Sequence, residues 1–191
     1  MKRGTVLTTR RLRLRTWRRS DVRAYDTHCN TPDVMAWLGG VMSPRQLRQD
    51  FEYFERQQRR NGFSFWVVER KSDQAFLGFC GLVRITERAS PLGGEIEIGW
   101  RIRSDMWRRG YGYEAADRVL AFAFSYVCPK RVVSRVAVGN EASEGLMRKL
   151  GMIHAASLDH VLNDRTKLKV FVIDAERFER MDEGCEGFHE L

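Results

Sequence analysis

Apolar and polar residues alternate along several short stretches of this chain, and a period of two is typical of β-strands with one buried face. Leu12 and Leu14 alternate with arginines between Leu7 and Trp17, and the alternation is strongest from Glu95 to Ile102. Further strands are predicted over residues 63–70, 75–84, 132–138, 152–158 and 167–174. The polar residues 71–74 predict a hairpin turn between the first two of these.

Helical signals fill the intervals between the strands. Ser43, Pro44 and Gln46 form a capping box with proline at the first helical position, and Gly62 follows the end of that helix. Helices are predicted over residues 21–29, from Pro32 to the glycine pair 39–40, over 44–60, 115–127 and 141–150, and as a short helix with a polar tail over 175–191.

Two details of these helices are specific enough to be checked. The helix over 115–127 is expected to bury one stripe of residues, namely Val119, Phe122, Ala123, Tyr126 and Val127. Gly151 is expected to end the helix over 141–150. Because no repeat or linker divides the chain, residues 1–191 are interpreted as one α/β (α+β) domain with a mixed, mostly antiparallel central sheet flanked by helices.

Composition narrows the class of protein. The chain has 191 residues, 43% of them apolar, which suffices for a buried core, and no stretch is long enough to predict a membrane span. No apolar segment follows the Arg-rich N-terminus, so no signal peptide is expected. The cysteines lack C-x-x-C spacing and the histidines lack a common pattern, so we expect reduced thiols, a cytoplasmic protein and no metal.

The formal net charge of +8 is compatible with a polyanionic cofactor, an acidic partner or a nucleic acid. Because the basic residues are spread along the whole chain, the charge does not discriminate among these. A nucleic acid is therefore not favoured as the substrate, although salt-dependent binding to DNA or RNA would test it.

The segment from Trp107 to Ala116 carries the clearest chemical signal. Gly110 and Gly112 stand just before the apolar run that begins at Ala115, and Arg108 and Arg109 precede them. Glycines at the start of a helix let backbone amides converge on one point, and the helix dipole adds partial positive charge there. A phosphate or pyrophosphate fits such a site, although a helix-start turn without a ligand has the same sequence.

Two well-known phosphate loops fit this segment poorly. The dinucleotide fingerprint allows a third small residue at Ala115, but it belongs to an N-terminal βαβ unit with an acidic residue about twenty positions on. Here the loop lies past the middle of the chain, and residues 132–135 are apolar and basic. The nucleoside-triphosphate loop requires G-K-[ST], which is absent from this segment.

Trp107–Ala115 instead resembles the acetyl-coenzyme A loop of the GNAT N-acetyltransferases, in the branch that includes the ribosomal-protein N-terminal acetyltransferases. That loop has the form Q/R-x-x-G-x-G/A, and the branch has tryptophan first and continues G-Y-[AG]-x-E-A. Other segments are similar to the same branch, namely T-x-R-L-x-L-R-x-W, P-D-V-M-A-W-L, G-F-C-G-L, E-I-G-W and N-E-A-S-x-x-L-M-R-K-L-G-M. The resemblance covers nearly the whole chain, and it implies the GNAT fold.

The resemblance also implies a set of cofactor contacts for acetyl-CoA. The pyrophosphate is expected at the backbone amides of Arg108, Arg109, Gly110, Tyr111, Gly112 and Tyr113. The pantetheine arm is expected along the backbone of Trp100, Arg101 and Ile102, where the strand parts from its neighbour and an amide can stabilise the oxyanion. Asn140 is expected to fix the cofactor arm.

The catalytic assignments keep their alternatives. Glu97 is the expected base because the family pattern E-I-G-[YW] has its glutamate there, and Glu95 on the same strand face is the second candidate. The alternative is that these carboxylates lie on a solvated sheet face, an alternative that is stronger for Glu95. Many GNAT enzymes use a tyrosine of this helix to protonate the leaving thiolate, and the resemblance to the ribosomal-protein branch implies that Ser143 takes its place. No tyrosine lies between Asn140 and Gly151. Asn140 and Ser143 are also suited to cap the helix that follows them.

The predicted function is acetyl transfer from acetyl-CoA to a primary amine by direct attack in a ternary complex, without a metal. The acceptor expected from the resemblance is a protein N-terminal α-amine, as in a ribosomal protein. A small amine, such as an amino-sugar antibiotic or a polyamine, and a non-catalytic acyl-CoA-binding module are the alternatives. The oligomeric state is open, and a homodimer is one option.

Overall fold

Antiparallel strand pairs make up most of the sheet in the computed structural model, which describes residues 7–86, 91–162 and 164–186. These residues divide into two compact units: residues up to 84 together with 98–119, and residues 85–97 together with those from 120 onward. Strand β5 (Ile96–Ile102) and helix α4 (Tyr111–Phe122) each have residues in both units.

The first unit contains a run of neighbouring antiparallel strands covered by helices. The strands are β1 (Leu7–Thr8), β2 (Leu12–Arg15), β3 (Phe65–Arg70) and β4 (Phe76–Arg84), paired in that order. The helices are α1 (Asp21–Cys29), α2 (Pro32–Met35) and α3 (Pro44–Asn61). The capping box at Ser43 is present in both directions, and Gly62 ends α3 in the left-handed conformation, which confirms both predictions.

Aromatic packing forms the core between α1, α3 and the strands. The Phe79 ring lies 5.5 Å from those of Tyr25 and Phe54 and 5.2 Å from that of Phe65, centroid to centroid. Trp17 packs against the same rings and donates its indole N–H to the Phe65 carbonyl. Such pairs add about 0.5–1.5 kcal/mol each beyond the burial of apolar area, so this cluster holds the two helices in place.

A buried ion-pair group also ties β2 to α1 and β3. Arg15 donates from Nη1 and Nη2 to both oxygens of Asp21, at 2.8 and 2.9 Å, and from Nε to Glu69 at 2.8 Å. The pKa of Arg15 is raised, and the largest cause is its hydrogen bond with Asp21. Removing one member would leave a buried charge without its partner, which is strongly destabilising.

The second unit contains the only parallel strand pair among the described strands. Its elements are β6 (Val132–Ala137), α5 (Glu141–Lys149), β7 (Ile153–His154), β8 (His160–Val161), β9 (Lys167–Ile173) and α6 (Ala175–Glu186). The start of β5 pairs in parallel with β6, which pairs antiparallel with β9, and both β7 and β8 pair with β9. The predicted mixed, mostly antiparallel α/β fold is therefore confirmed.

The strand predicted over residues 152–158 is wrong beyond its first part. Only Ile153–His154 is extended, and Ala156–Leu158 forms a 3₁₀ turn. The amide of Val170 donates to the carboxylate of Asp159 at 2.9 Å instead of to a strand carbonyl, which separates β7 from β8 along the same strand β9. The predicted polar tail beyond Glu186 lies outside the described residues, and the extent of a single domain over 1–191 stays a prediction.

The helix predicted from Ala115 to Val127 starts earlier and changes geometry before its end. It begins at Tyr111, and Ala123–Val127 is a π-helical segment in which Cys128 N donates to Ala123 O, five residues back. Wider turns rotate the side chains away from the 3.6-residue stripe. Tyr126 is consequently 71% exposed, so its predicted burial is wrong. Among the described helices, none has the length and apolarity to cross a membrane.

Candidate functional site

The start of α4 has the geometry of an anion site. Arg108 and Gly110 take positive φ angles of 58° and 79°, and the first α-helical bond runs from Glu114 N to Gly110 O. The amides ahead of that bond have no acceptor one turn back in the helix. Gly112 lies inside the first turn rather than before it. The amides of the predicted segment thus surround the positive end of the helix dipole.

Glu114 fixes this first turn to the turn between β1 and β2. Its Oε1 accepts from Thr9 Oγ1 at 2.5 Å and from Arg11 N at 2.8 Å, while Oε2 accepts from Arg11 Nε at 2.6 Å. Burial raises the pKa of Glu114, but these hydrogen bonds outweigh burial and lower the pKa below its ordinary value. The carboxylate therefore stays charged and bound at neutral pH.

Arg11 holds the loop itself as well as the helix. Its Nη1 donates to the carbonyl of Arg109 at 3.1 Å, and its guanidinium lies 4.5 Å from the centre of the Tyr111 ring. Arg70 donates to the hydroxyl of Tyr111 at 3.5 Å from the other side. Arg11 in the turn between β1 and β2 and Arg70 in β3 thus both contact Tyr111, the residue at which α4 begins.

Strand β5 points its backbone groups alternately to its two sides. The amide of Arg103 donates to the carbonyl of Leu77 at 2.9 Å, so the odd-numbered residues at this end of β5 face β4. The backbone of Trp100 therefore points away from β4. The parallel pairing of β5 with β6 ends at Glu97, and Trp100 lies three residues further along the strand. The oxyanion role of its amide stays a prediction.

The backbone carbonyls of Arg101 and Ile102 already contact other residues of the chain. The carbonyl of Arg101 lies against Gly78 of β4, where a Cβ would overlap it. The carbonyl of Ile102 accepts from the indole Nε1 of Trp107 at 2.6 Å. Of the three residues predicted to pair with the pantetheine arm, Trp100 is therefore the best placed to do so through both backbone groups.

The side chain of Arg101 joins β5 to α1 and α3. Its guanidinium donates to the hydroxyl of Tyr25 and lies 5.1 Å from the centre of the Phe79 ring. Tyr25 in turn donates to Asp50 Oδ2 at 3.1 Å. Burial raises the pKa of Asp50, opposed by the hydrogen bond from Tyr25 and the charge of Arg101. A half-buried carboxylate thus lies one hydroxyl group away from the side chain of Arg101 on β5.

Both candidate base carboxylates are bound by arginines. Glu97 accepts from Arg135 Nε and Nη2 at 2.8 and 2.7 Å, one bond to each oxygen. Glu95 accepts from Arg131 Nε and Nη2 at 3.1 and 2.7 Å. They are thus only partly exposed rather than solvated freely. A base role for Glu97 or Glu95 stays a prediction, and it would operate from within an ion pair.

Asn140 caps α5 as the capping interpretation expected, whereas Ser143 contributes only its backbone amide to the cap. The side-chain oxygen of Asn140 accepts from Ser143 N at 3.2 Å. The Ser143 hydroxyl is not used in this cap, so it can also act in proton transfer. Gly151 follows α5 with a φ of 80°, which confirms its predicted role as the helix end. The catalytic roles of both side chains stay predictions.

Comparison with known proteins agrees with this geometry. The family model described as "Acetyltransferase (GNAT) domain" matches residues 11–153. The chain belongs to the GNAT acetyltransferases. It is similar to the uncharacterized protein YkkB of Bacillus subtilis, with 30% identity over 159 residues that cover 83% of this chain and 91% of that protein. It is also 24% identical over 178 residues to the uncharacterized N-acetyltransferase p20 of Bacillus licheniformis, covering 91% of this chain and 94% of that protein.

Solved structures share the GNAT fold at low sequence identity. An acetyltransferase from Agrobacterium tumefaciens has a TM-score of 0.75 at 23% identity, covering 88% of this chain and 93% of that one. Spermidine N-acetyltransferase from Vibrio cholerae, solved with CoA and spermine, has a TM-score of 0.70 at 17% identity, covering 90% and 99%. At these identities the likeness supports the fold alone.

As a GNAT enzyme, the protein is an N-acetyltransferase with acetyl-CoA as donor and an amine as acceptor. The start of α4 fits the diphosphate of that donor, because the positive φ of Gly110 turns the chain there without a Cβ. Within residues 7–86, 91–162 and 164–186, no three His, Cys, Asp or Glu side chains form a metal-binding group. A metal-free reaction stays a prediction.

The sequence reading of this GNAT site missed the residues that hold the loop in place. Thr9 and Arg11 hold the first turn of α4 through hydrogen bonds to Glu114, and Trp107 donates a hydrogen bond to the carbonyl at the end of β5. Arg11 is the arginine of the motif T-x-R-L, and Glu114 is the glutamate of G-Y-[AG]-x-E-A. Their opposite charges were a signal for a pair, but only the fold brings residues so far apart together.

Proposed function

We propose that this GNAT enzyme acetylates the α-amine at the N-terminus of a polypeptide, as the ribosomal-protein branch does. Support comes from the segments that resemble that branch and from the state of the candidate bases. The pairing of Glu97 with Arg135 is the observation that weighs most.

A carboxylate held on both oxygens by a guanidinium is a restrained proton acceptor. An α-amine has a pKa of about 8 and a lysine or polyamine amine about 10.4, a gap of roughly 2.5 units or about 3.4 kcal/mol. A neutral α-amine is therefore available near neutral pH with little help from a base. The ion-paired Glu97 suits that acceptor better than an alkylamine.

The reaction balances without further reagents. The neutral amine nitrogen attacks the thioester carbonyl carbon, and the backbone amide of Trp100 is our candidate to stabilise the oxyanion. Attack leaves the nitrogen positively charged, and its extra proton passes through water to Glu97 as the carbon–sulfur bond breaks. The thiolate takes a proton from Ser143, and Ser143 recovers one through water from the proton held at Glu97, so both side chains return to their starting state. The amides at the start of α4, with Gly110 at their centre, hold the diphosphate of the donor.

The charge of α1 and α3 also supports a polypeptide over a polyamine. Arg19, Arg23 and Arg48 line one cavity between these helices. Such a surface repels a polycation and attracts a chain that carries carboxylates. A polyamine acceptor is the runner-up, because one solved GNAT structure of this fold is a spermidine N-acetyltransferase.

A panel of acceptors tests the proposal. Thiol release from acetyl-CoA is followed with a peptide whose N-terminus is free, the same peptide with a blocked N-terminus and one lysine, and spermidine. Mass spectrometry then locates the acetyl group. We expect turnover with the free N-terminus, with the acetyl group on the α-nitrogen.

Two results would contradict the proposal. A higher kcat/KM for spermidine than for every peptide would assign the enzyme to small amines. Acetylation of the lysine in the blocked peptide, at a rate equal to that of the free peptide, would mean that the base is stronger than the Glu97–Arg135 pair suggests.

A further inference from the structure

A cavity of about 420 Å³ lies between α1 and α3, and none of the residues that line it is assigned to the cofactor. Its walls come from the turn before α1, one side of α1 and the first turns of α3, and they are Arg19, Val22, Arg23, Asp26, Pro44, Leu47 and Arg48. The volume is within the range of about 300–1,000 Å³ found for ligand sites. Apolar side chains form part of the wall, and charged side chains form its edge.

The three arginines of this cavity differ from the arginines described above. Arg11, Arg15, Arg101 and Arg135 each donate to a carboxylate, a carbonyl or a hydroxyl. In the described part of the chain, the guanidinium groups of Arg19, Arg23 and Arg48 make no hydrogen bond or ion pair. Their donors are directed to solvent, where a ligand can reach them.

The acidic residue in the wall, Asp26, offsets only part of their charge. Asp26 accepts from the side-chain amide of Asn30 at 2.9 Å, one helical turn along α1. Three positive charges therefore share the cavity with a single carboxylate, which leaves the lining with an excess of positive charge. Arginine is the side chain best suited to bind carboxylates, because its planar fork donates two parallel hydrogen bonds.

We infer that this cavity binds an acidic segment of the acceptor polypeptide, on the C-terminal side of the amine that receives the acetyl group. Carboxylates of that segment bind Arg19, Arg23 and Arg48, and its aliphatic groups pack on Val22 and Leu47. The inference rests on the proposed polypeptide acceptor and adds a sequence preference to it. The enzyme would select acceptors by acidic residues after the N-terminus.

Two charge-matched double variants test the site. Arg23→Gln with Arg48→Gln removes two cavity arginines. Arg45→Gln with Arg60→Gln removes two exposed arginines of α3 that do not line the cavity, so both variants lower the formal net charge of +8 by two. Thermal unfolding confirms that each variant is folded before it is compared.

The two peptides have free N-termini and differ in one feature. One carries a run of glutamates several residues from its amine, and the other has glutamine at each of those positions. Each is labelled with fluorescein at its C-terminus, and binding is measured by fluorescence anisotropy with coenzyme A present. Acetylation of the unlabelled peptides is measured by thiol release.

We expect the wild type to bind the acidic peptide more tightly than the neutral one, and the difference to shrink as salt is raised. The cavity variant should weaken binding of the acidic peptide about threefold to tenfold, as the loss of two partly exposed ion pairs implies. Its affinity for the neutral peptide and its KM for acetyl-CoA should not change. The Arg45/Arg60 variant should resemble the wild type.

The failures of the two proposals can be told apart. Equal binding of both peptides by the wild type, or equal weakening by both double variants, would overturn the cavity site even if the peptides are acetylated. Binding of the acidic peptide at the cavity without any acetylation of its α-amine would support the cavity and overturn the polypeptide acceptor.

Discussion

Arg11 and Glu114 lie 103 positions apart in the chain, and their side chains meet at 2.6 Å. The arginine lies in the turn between β1 and β2, and the glutamate in the first turn of α4. Arg11 also donates to the carbonyl of Arg109, inside the loop that precedes this turn. The pair therefore sets the position of the amides that we expect to hold the diphosphate of acetyl-CoA.

Replacing Arg11 with glutamine should weaken cofactor binding more than it slows the chemical step. The variant loses the Nε bond to Glu114 and the bond to Arg109, so the loop can depart from its binding geometry. We expect the KM for acetyl-CoA to rise about tenfold, or roughly 1.4 kcal/mol, with kcat changed less than threefold. Steady-state kinetics at saturating acceptor measures both.

Arg13→Gln is the matched control for this variant. Arg13 lies two residues away, is half-exposed and has only a 3.5 Å contact with Glu69. Its replacement should leave the KM for acetyl-CoA near that of the wild type. S-acetylpantetheine, which lacks the diphosphate, should be used equally by wild type and Arg11→Gln, and a large loss with this donor too would contradict the role assigned to Arg11.

Glu114 should make stability depend on pH in the acid range. Its folded pKa lies below the ordinary value, so the unfolded chain binds the proton more tightly than the folded protein does. Its contribution is therefore complete above the unfolded value of about 4.3 and is lost as pH falls through the folded value. Chemical unfolding should show that Glu114→Gln is less stable than wild type at pH 7, with a difference that shrinks in acid. A constant difference would exclude this linkage.

Gly110→Ala should affect both folding and cofactor binding. An L-residue at a φ of 79° costs roughly 1–2 kcal/mol, and the new Cβ would lie 3.2 Å from Arg11 Nη2. Gly62→Ala is the control, because Gly62 has the same φ of 79° with no atom near its Cβ position. Thermal unfolding should detect a loss in both variants, whereas the KM for acetyl-CoA should rise only in Gly110→Ala.

Ser143 and Asn140 should separate catalysis from helix capping. Ser143→Ala keeps the backbone amide that Asn140 binds, so it should lower kcat about tenfold, if the hydroxyl protonates the thiolate, with little change in stability. Asn140→Ala should cost about 1 kcal/mol of stability through loss of the cap. Unchanged turnover in Ser143→Ala would remove the serine from the mechanism.

Glu97→Gln should have a moderate effect on acetylation of an α-amine. A necessary general base contributes about 10²–10⁴-fold, but an α-amine is already partly neutral near pH 7.5. We expect kcat/KM to fall less than about tenfold with the peptide acceptor. A pH–rate profile measures this, and a loss above 10² in a variant of unchanged stability would restore Glu97 as the main base.

Local sequence signals predicted the parts of the fold that depend on neighbouring residues. The capping box at Ser43 and Gln46, the left-handed ends at Gly62 and Gly151, and the strand alternation need only a few consecutive side chains. These features were therefore predictable from the sequence. The start of α4 was placed four residues late, because Gly112 was interpreted as loop although a helix accepts it in its first turn.

Local sequence patterns could not predict contacts between residues that are far apart in the chain. Glu97 was expected to be a base because of its place in a motif, and no residue near it in sequence indicated that Arg135 is its partner. That pair depends on the register of β5 against β6, which sets Glu97 opposite Val133. The exposure of Tyr126 likewise depends on one π turn that periodicity does not encode.

Trp107 directly precedes the segment from Arg108 to Tyr113 that we expect to hold the diphosphate. Its indole is half-exposed and hydrogen-bonded to the end of β5. Its emission spectrum responds to the water around it, so the enzyme carries its own optical reporter beside the loop. Quenching of this fluorescence, or a shift of its emission maximum, on addition of coenzyme A can therefore report binding of the donor in real time. Replacing this tryptophan with phenylalanine separates its signal from those of the others.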